Sequence, residues 1–308
     1  MAARPTLEKF FVNESKEGTE FVEVKSFGCV LDHLLRGNKL SSDGEVTPEM
    51  SDEEKKTLEW EEGEERKSGW EEKETVEVEL GEDGKGNFYL SLPQSQKLKT
   101  IPLCHSPICP MRGCDKRSIV PAATKIKKIK VGVCVLIEDC DHKVFLTQRG
   151  PLRIFPGMWV LPGGHWDPGE VSSTTALREV QEETGITLSP SSLQLLCMWE
   201  SSFPISLSRG HPKAHHLVIF YRAILPSSSS TLSLALQETE VQASCWLGVE
   251  EVREAVKGKE VRLQGTRIGD GKGERKEEVV VGSWEIALGH VYALQVWAGM
   301  IGGKEGKL

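Results

Sequence analysis

One run of residues limits the folds open to this chain more than any other feature. It opens on paired glycines, Gly163 and Gly164, passes through Glu170, and ends in Arg178-Glu179-Val180-Gln181-Glu182-Glu183-Thr184-Gly185-Ile186. Thr174 to Thr184 has a helical composition, and Gly185 supplies the C-terminal stop. At roughly 100° per residue, positions 179, 182 and 183 fall at 0°, about 300° and about 40°, which is one face of a helix. Three carboxylates there repel one another, because like charges at i,i+4 cost a few tenths of a kcal/mol even in solvent. The helix gains no stability from the arrangement. A divalent cation that prefers hard oxygen ligands, Mg²⁺ or Mn²⁺, resolves the conflict. Gly163 and Gly164 permit a tight loop before the helix, where positive backbone dihedrals suit glycine. Loop amides near a helix N-terminus favour phosphate. Arg178 is placed to pair with Glu170 and hold the loop against the helix. Most Glu pairs are only a solvated acidic face, but the full pattern arises by chance in less than about one in a million chains of this length.

Composition locates the rest of the folded part. The chain has 308 residues and a net charge of −8. Between Asp52 and Asp83 lie 15 acidic and 5 basic side chains, so the remainder is close to neutral. Residues 43–86 are therefore expected to be a disordered acidic insertion, too poor in aliphatic surface to offset the entropy of ordering. Nothing reaches the roughly 18 apolar residues that a membrane-spanning helix needs, so no membrane association is expected. The first residues lack the apolar core of a secretory signal, and eight cysteines are too few for a disulfide scaffold. Both point to reduced thiols in the cytoplasm. The terminal Gly306-Lys307-Leu308 is a weak form of a peroxisomal address, with Gly where Ser is expected.

Periodicity predicts a strand from Lys127 to Ile137, a turn at Asp139-Cys140-Asp141-His142, and a hairpin partner from Lys143 to Arg149. Further strands are expected near Leu193–Trp199, Leu217–Ile224 and Ser244–Leu247, then a helix from Val249 to Val256. Trp284 to Met300 reads as a strand and an amphipathic helix. Strands alternating with helices indicate an α/β or α+β layer fold.

The spacing from Gly164 to Ile186, G-x5-E-x7-R-E-U-x-E-E-x-G-U with U apolar, resembles the Nudix hydrolase signature at every defined position. The resemblance covers roughly Ile126 to Lys257. It implies an α/β fold, a Nudix-type α/β/α sandwich around a mixed sheet, that cleaves a nucleoside diphosphate linked to another moiety. The domain is expected over 123–262, with an N-terminal region at 1–42 and 87–122 and a helical C-terminal extension at 263–308. By resemblance, Glu179 and Glu183 are the principal ligands of Mg²⁺ or Mn²⁺. Glu182 is a further ligand or the proton acceptor for water, and Glu240 stands where some members carry an additional acid. Trp199-Glu200-Ser201, Phe203-Pro204, Pro212-Lys213-Ala214-His215-His216 and Ile108-Cys109-Pro110 are similar to the nucleoside diphosphate-linked moiety X motif 17 group of that family. That group is placed among enzymes that hydrolyse the 7-methylguanosine cap of RNA, which implies release of 7-methyl-GDP and makes capped RNA a partner.

Other functions compete. Leu146-Thr147-Gln148-Arg149 with Leu152 and Gly157 is faintly similar to the loop of Nudix coenzyme A hydrolases, but Phe155 stands near the place of the expected His. A dinucleotide diphosphatase is a second alternative, and a nucleotide-sensing module without turnover is a third. Trp166 borders the glycine loop and is a candidate to stack on a base, whereas Trp159 reads as core. His215 and His216 open a strand, so alternation sends only one inward as a substrate contact. Cys104, His105, Cys109 and Cys114 lack the paired C-x2-C spacing of zinc sites, and no structural zinc is expected. Lys125, Lys127, Lys128 and Lys130 read as the solvated entry to a strand.

Overall fold

The computed structural model describes residues 9–13, 21–23, 29–30, 75–83, 87–92, 100–105, 129–151, 155–167, 170–203, 214–269, 273–282 and 285–305. The chain divides into two compact units. One comprises Met1–Val131, Asp167–Val171 and Met198–Val218, the other Gly132–Trp166, Ser172–Cys197 and Ile219–Leu308.

The first unit holds β1 (Lys9–Asn13), β2 (Phe21–Glu23), β3 (Thr75–Glu82), β4 (Asn87–Ser91) and β5 (Ile101–His105), in the sheet order β5-β3-β4-β1-β2. The sheet is mixed: β1 runs parallel to β4, and Met198–Glu200 runs parallel to β5, while the remaining pairs are antiparallel. Strand β3 corrects the expectation that residues 43–86 lack structure throughout. Val76, Val78 and Leu80 alternate with Glu77 and Glu79, so Val78 is buried while Glu77 faces solvent. That two-residue period forms a strand whatever the net charge of the segment. Residues 43–74, Cys109, Cys114 and the lysines 125, 127 and 128 lie outside the described residues.

This unit also buries a carboxylate. Glu200 accepts from the Val30 amide at 2.6 Å and from Cys29 Sγ at 3.4 Å, and lies 2.8 Å from His215 Nε2. Burial pushes the Glu200 carboxyl up, but His215, the charge of His105 and the Val30 amide together hold it below its ordinary value. A buried carboxylate persists only with such partners.

The second unit is built on β6 (Ile129–Glu138), which enters it at Gly132, and β7 (Val144–Arg149). Val133, Val135, Leu136 and Ile137 of β6 are buried, as are Val144, Phe145 and Leu146 of β7. Both faces are apolar because both are covered, which is the pattern of central strands. The tight turn between them is made by Asp139, whose carboxylate accepts the amides of Asp141 (2.9 Å), Lys143 (2.8 Å) and Ser229 (2.9 Å).

Short strands β8 (Trp159–Val160) and β9 (Gly163–His165) pair with β7 and β6 respectively. Helix α1 (Ser172–Thr184) follows, two residues longer at its start than the composition suggested, and stops at Gly185 as expected. There φ is +74°, and the Gly185 amide donates to Gln181 O at 2.9 Å. Then come β10 (Leu193–Phe203), β11 (Ala214–Ile224), β12 (Val241–Leu247), α2 (Val249–Val256), β13 (Val261–Gly269), β14 (Gly273–Val281) and α3 (Leu288–Glu305). The antiparallel run β14-β13-β12-β7 leads to β6 and then to β11 and β10.

The C-terminal part departs from expectation twice. The boundary placed between 262 and 263 would cut β13, which pairs with β14 residue by residue from Val261↔Val281 to Gly269↔Gly273. Its charged ladder, with Arg262 on Glu278 and Arg267 on Glu277, forms an edge hairpin in what was expected to be a helical extension. Helix α3 is not amphipathic either. Val291, Tyr292, Ala293 and Leu294 are all buried, and four successive residues circle the whole helix. It packs on α2, and Trp297 is completely enclosed. No helix among the described residues is long and apolar enough to cross a membrane.

Candidate active site

The site is set by how β9 approaches β6. Gly163 pairs with Cys134 at φ +153°, a conformation that disfavours any side chain. A Cβ there would stand 2.1 Å from Val133 O and 2.6 Å from Cys134 Cα, so only glycine admits this pairing. The expected tight loop is therefore a short strand held against the sheet. Just before it, the Leu161 amide donates to His290 Nδ1 of α3 at 2.9 Å. Burial and then the charge of Arg149 lower the His290 pKa to about 3, so its imidazole stays neutral and available as an acceptor.

Helix α1 brings its carboxylates to this strand. Glu183, only 7% exposed, accepts from the Gly163 amide at 3.2 Å. A Cβ on Gly164 would come within 2.4 Å of the carboxyl carbon and both oxygens of Glu179. The two glycines thus make room for two acids, one turn apart on the helix. Burial pushes Glu183 up to about 8; the Gly163 amide and Arg149 pull against that, while Glu179 and Glu240 push further. Glu179 is also raised, first by burial, with Arg178 opposing and Glu182 and Glu240 adding to it. Burial first, and then the charge of neighbouring acids, keeps both from ionising freely.

A third acid, Glu240, acts on both through its charge. Its carbonyl accepts from the Gly150 amide at 2.7 Å, beside the irregularity in β7–β12 pairing between Val241 and Ala243. Glu182 takes a different position from the one its helical angle suggested. It faces solvent and pairs with Arg178 Nη1 at 3.2 Å, while the same nitrogen bonds Glu179 at 3.0 Å. Among the described residues no three His, Cys, Asp or Glu side chains are already drawn together around a common point. Two convergent carboxylates still fit Mg²⁺ or Mn²⁺, because such ions keep several waters and complete their shell with substrate phosphate oxygens. The hard oxygen donor set suits these ions better than softer metals.

The other candidates fall elsewhere. Trp166 is 3% exposed, so its indole belongs to the core and has no free face for a base. Trp159 is wholly buried, as read from the sequence, and its Nε1 donates to Val280 O at 3.0 Å. His215 lies in the first unit, fully enclosed beside Glu200; it is a hydrogen-bonded structural histidine and presents nothing to substrate. His216 is half-buried in the same unit. Glu170 also belongs to the first unit, where its amide donates to Asp167 O at 3.1 Å. Cys104 and His105 are buried in β5.

Two neighbours escaped the sequence reading. Arg149 ends β7 and supplies the positive charge that acts on Glu183. Cys134 lies behind the acids, its thiol pushed up by burial and by Glu183. Neither sits in the run from Gly163 to Ile186; the signal for Arg149 was its place at a strand end, next to a glycine.

Gly164→Ala tests the shape of this cradle. The three atoms its methyl group would meet first all belong to the movable tail of Glu179, so the fold should survive while the carboxylate is displaced. The expected result is unchanged circular dichroism with metal affinity reduced by about tenfold or more, by analogy with other losses of ligand positioning. Wild-type Mn²⁺ affinity in that variant would show that Glu179 is not held where the ion binds.

Residues 128–264 match the family model of the NUDIX domain. The m7GpppN-mRNA hydrolase NUDT17 of Xenopus laevis is 36% identical over 177 residues, covering 56% of this chain and 60% of that protein. Its namesake in Danio rerio is 38% identical over 165 residues, 51% of this chain and 54% of that protein. The alignments thus span little more than half of these relatives. Among solved structures, a MutT NUDIX hydrolase from Burkholderia pseudomallei aligns with 40% of this chain and 86% of its own, at 25% identity and a TM-score of 0.33.

Proposed function

We infer, because residues 128–264 match the family model of the NUDIX domain, that this chain is a divalent-metal-dependent hydrolase of the diphosphate bridge in a nucleoside diphosphate-linked substrate. The substrate proposed is the 7-methylguanosine cap of RNA, with 7-methyl-GDP as product. The observation that carries the reading is the convergence of Glu179 and Glu183 on the Gly163-Gly164 strand, with Glu240 acting on both. Support for capped RNA comes from the likeness to two proteins named m7GpppN-mRNA hydrolase.

Glu179 and Glu183 would hold Mg²⁺ or Mn²⁺. When bound, such an ion lowers the pKa of a coordinated water and neutralises charge on phosphoryl oxygens. The protein's own contribution is positional. The Gly163 amide fixes one carboxylate and Arg178 orients the other, so neither must reorganise as charge develops. Glu240 and the outward Glu182 remain to take up the proton released by the attacking water. Arg149 balances the negative charge of the site at the end of β7. The cytoplasmic setting belongs to the same proposal and rests on the reduced-thiol reading of the composition.

The test is a substrate panel on the full chain with Mg²⁺ or Mn²⁺: capped RNA, coenzyme A, and nicotinamide and sugar dinucleotides, with products identified by mass. 7-Methyl-GDP from capped RNA is expected. Preferential cleavage of coenzyme A or a dinucleotide would replace the proposed substrate. No product from any of them would make the domain a nucleotide-sensing module.

A further inference from the structure

The last carbonyls of a helix have no partner within it. In α1 two of these are taken by the loop that leads into β12. The Ala235 amide donates to Thr184 O at 2.9 Å, and the Gln237 amide donates to Glu183 O at 3.0 Å. Gly185 makes the approach possible. A Cβ there would stand 2.7 Å from Ala235 Cβ and 3.0 Å from its nitrogen, so any side chain would push the loop off the helix end.

The same loop then closes on Glu240. Gln237 O accepts the Glu240 amide at 3.0 Å and the Val241 amide at 2.9 Å, while Glu240 O accepts the Gly150 amide at 2.7 Å. Glu240 is thus held at both of its main-chain groups, by Gln237 on one side and by the end of β7 on the other. A single residue, Gln237, joins the main chains of two acids: it donates to Glu183 and accepts from Glu240. Packing does little of this. Ala235, Glu238 and Thr239 are exposed, and Leu236 is the buried side chain of the stretch from 235 to 240. A segment with so little apolar burial opens easily unless hydrogen bonds fasten it.

We propose that Gln237 is a positioning residue of the hydrolase: through its main chain it sets the loop acid Glu240 against the helix acids at the divalent-ion site. This rests on the hydrolase reading above and adds what holds the loop acid in place. The charge of Glu240 reaches both Glu179 and Glu183, so a shift of the loop would be felt at the ion.

The experiment measures the Mn²⁺ affinity of the full chain by electron paramagnetic resonance, in a double-variant cycle with Glu240. Gln237→Pro deletes the amide and keeps the carbonyl. With circular dichroism unchanged, it should weaken Mn²⁺ by about ten- to a hundredfold, the usual effect of losing a group that orients a metal site. Glu240→Gln should weaken it by a similar factor. The two together should bind no more weakly than Glu240→Gln alone, because the first change acts through the second residue. Gln237→Ala retains both main-chain groups and should keep the wild-type affinity. Should Gln237→Pro fail to fold, Ala235→Pro removes the neighbouring bond to Thr184 and enters the same cycle. Wild-type Mn²⁺ affinity in the folded proline variant, or losses that multiply in the double variant, would overturn the positioning role and spare the hydrolase. Coupled losses in a chain that cleaves nothing in the substrate panel would uphold the positioning role and remove the hydrolase.

Discussion

Glu183→Gln is expected to remove metal-dependent hydrolysis by about a thousandfold and, in the absence of metal, to make the protein more stable at pH 8 than the wild type. The first effect follows from losing a ligand charge at the centre of the site. The second follows from the pKa of about 8 to which burial, Glu179 and Glu240 push the Glu183 carboxyl. In the unfolded chain the same group ionises near its ordinary value of 4.5. Between those values the folded protein retains a proton that the unfolded chain has released. Stability from this group is complete below the unfolded value and drains away as pH rises through the folded one. At about 1.4 kcal/mol per unit, the loss amounts to several kcal/mol for the metal-free protein at pH 8. Glutamine carries no such penalty, and its amide oxygen can still accept from Gly163. Thermal unfolding in chelator from pH 5 to 9 should therefore show a falling Tm in the wild type and a flatter profile in the variant. Saturating Mn²⁺ should restore the wild type selectively, since an ion that binds only the folded, ionised site adds its binding energy to stability. Parallel profiles with and without Glu183 would mean that the carboxyl is not held in this environment.

The asymmetry between Glu183 and Glu182 marks where the sequence stopped being informative. Helical spacing placed three acids within one face, and the family resemblance covered all of them. It could not say which edge of that face meets the sheet. Val180 and Ala176 are buried, which turns Glu179 and Glu183 inward and leaves Glu182 to solvent with Arg178. The run from Gly163 to Gly185 was legible because its constraints are local: a glycine-only backbone, a 3.6-residue period and a cap. Helix α2 was legible to its ends for the same reason. The nearness of Glu240 depends on β12 lying beside β7 in a particular register, with a bond made across 90 positions between Gly150 and Glu240, and no local pattern encodes it. The same holds for His215, whose partner Glu200 comes from a different strand, and for Trp166, whose burial is decided by what packs over it. At β3 the error ran the other way. Charge density suggested an unstructured segment, but alternation within it was enough for pairing once β4 and β5 lay on either side.

Arg222→Leu is expected to cost about 3–5 kcal/mol, the usual penalty for leaving a buried charge without its partner. Glu138, at the end of β6, is wholly buried. Its carboxylate takes Arg222 Nε at 2.7 Å and Nη2 at 2.6 Å, Trp297 Nε1 at 2.7 Å, and lies 2.5 Å from His142 Nδ1. Burial pushes this carboxyl up, but the bonds from His142, Trp297 and Arg222 outweigh it and hold the group below its ordinary value. Its stabilising contribution is therefore present above the unfolded value and is lost as pH falls through the folded one. Removing Arg222 takes away the full charge among these donors. The double variant Arg222→Leu with Glu138→Gln should recover much of the loss, because a neutral amide needs no counter-ion and Trp297 can still donate to it. Urea unfolding of the four proteins at pH 7 reads the coupling directly. The consequence extends to the site, because Trp297 and His290 belong to the same helix and His290 accepts the Leu161 amide two residues before Gly163. A weakened α3 should lower the metal affinity of Arg222→Leu at temperatures where the sheet is still folded, and the double variant should restore it. Additive costs in the two single variants, with metal affinity unmoved, would mean that Glu138 and Arg222 do not act as a pair and that α3 does not brace the glycine strand.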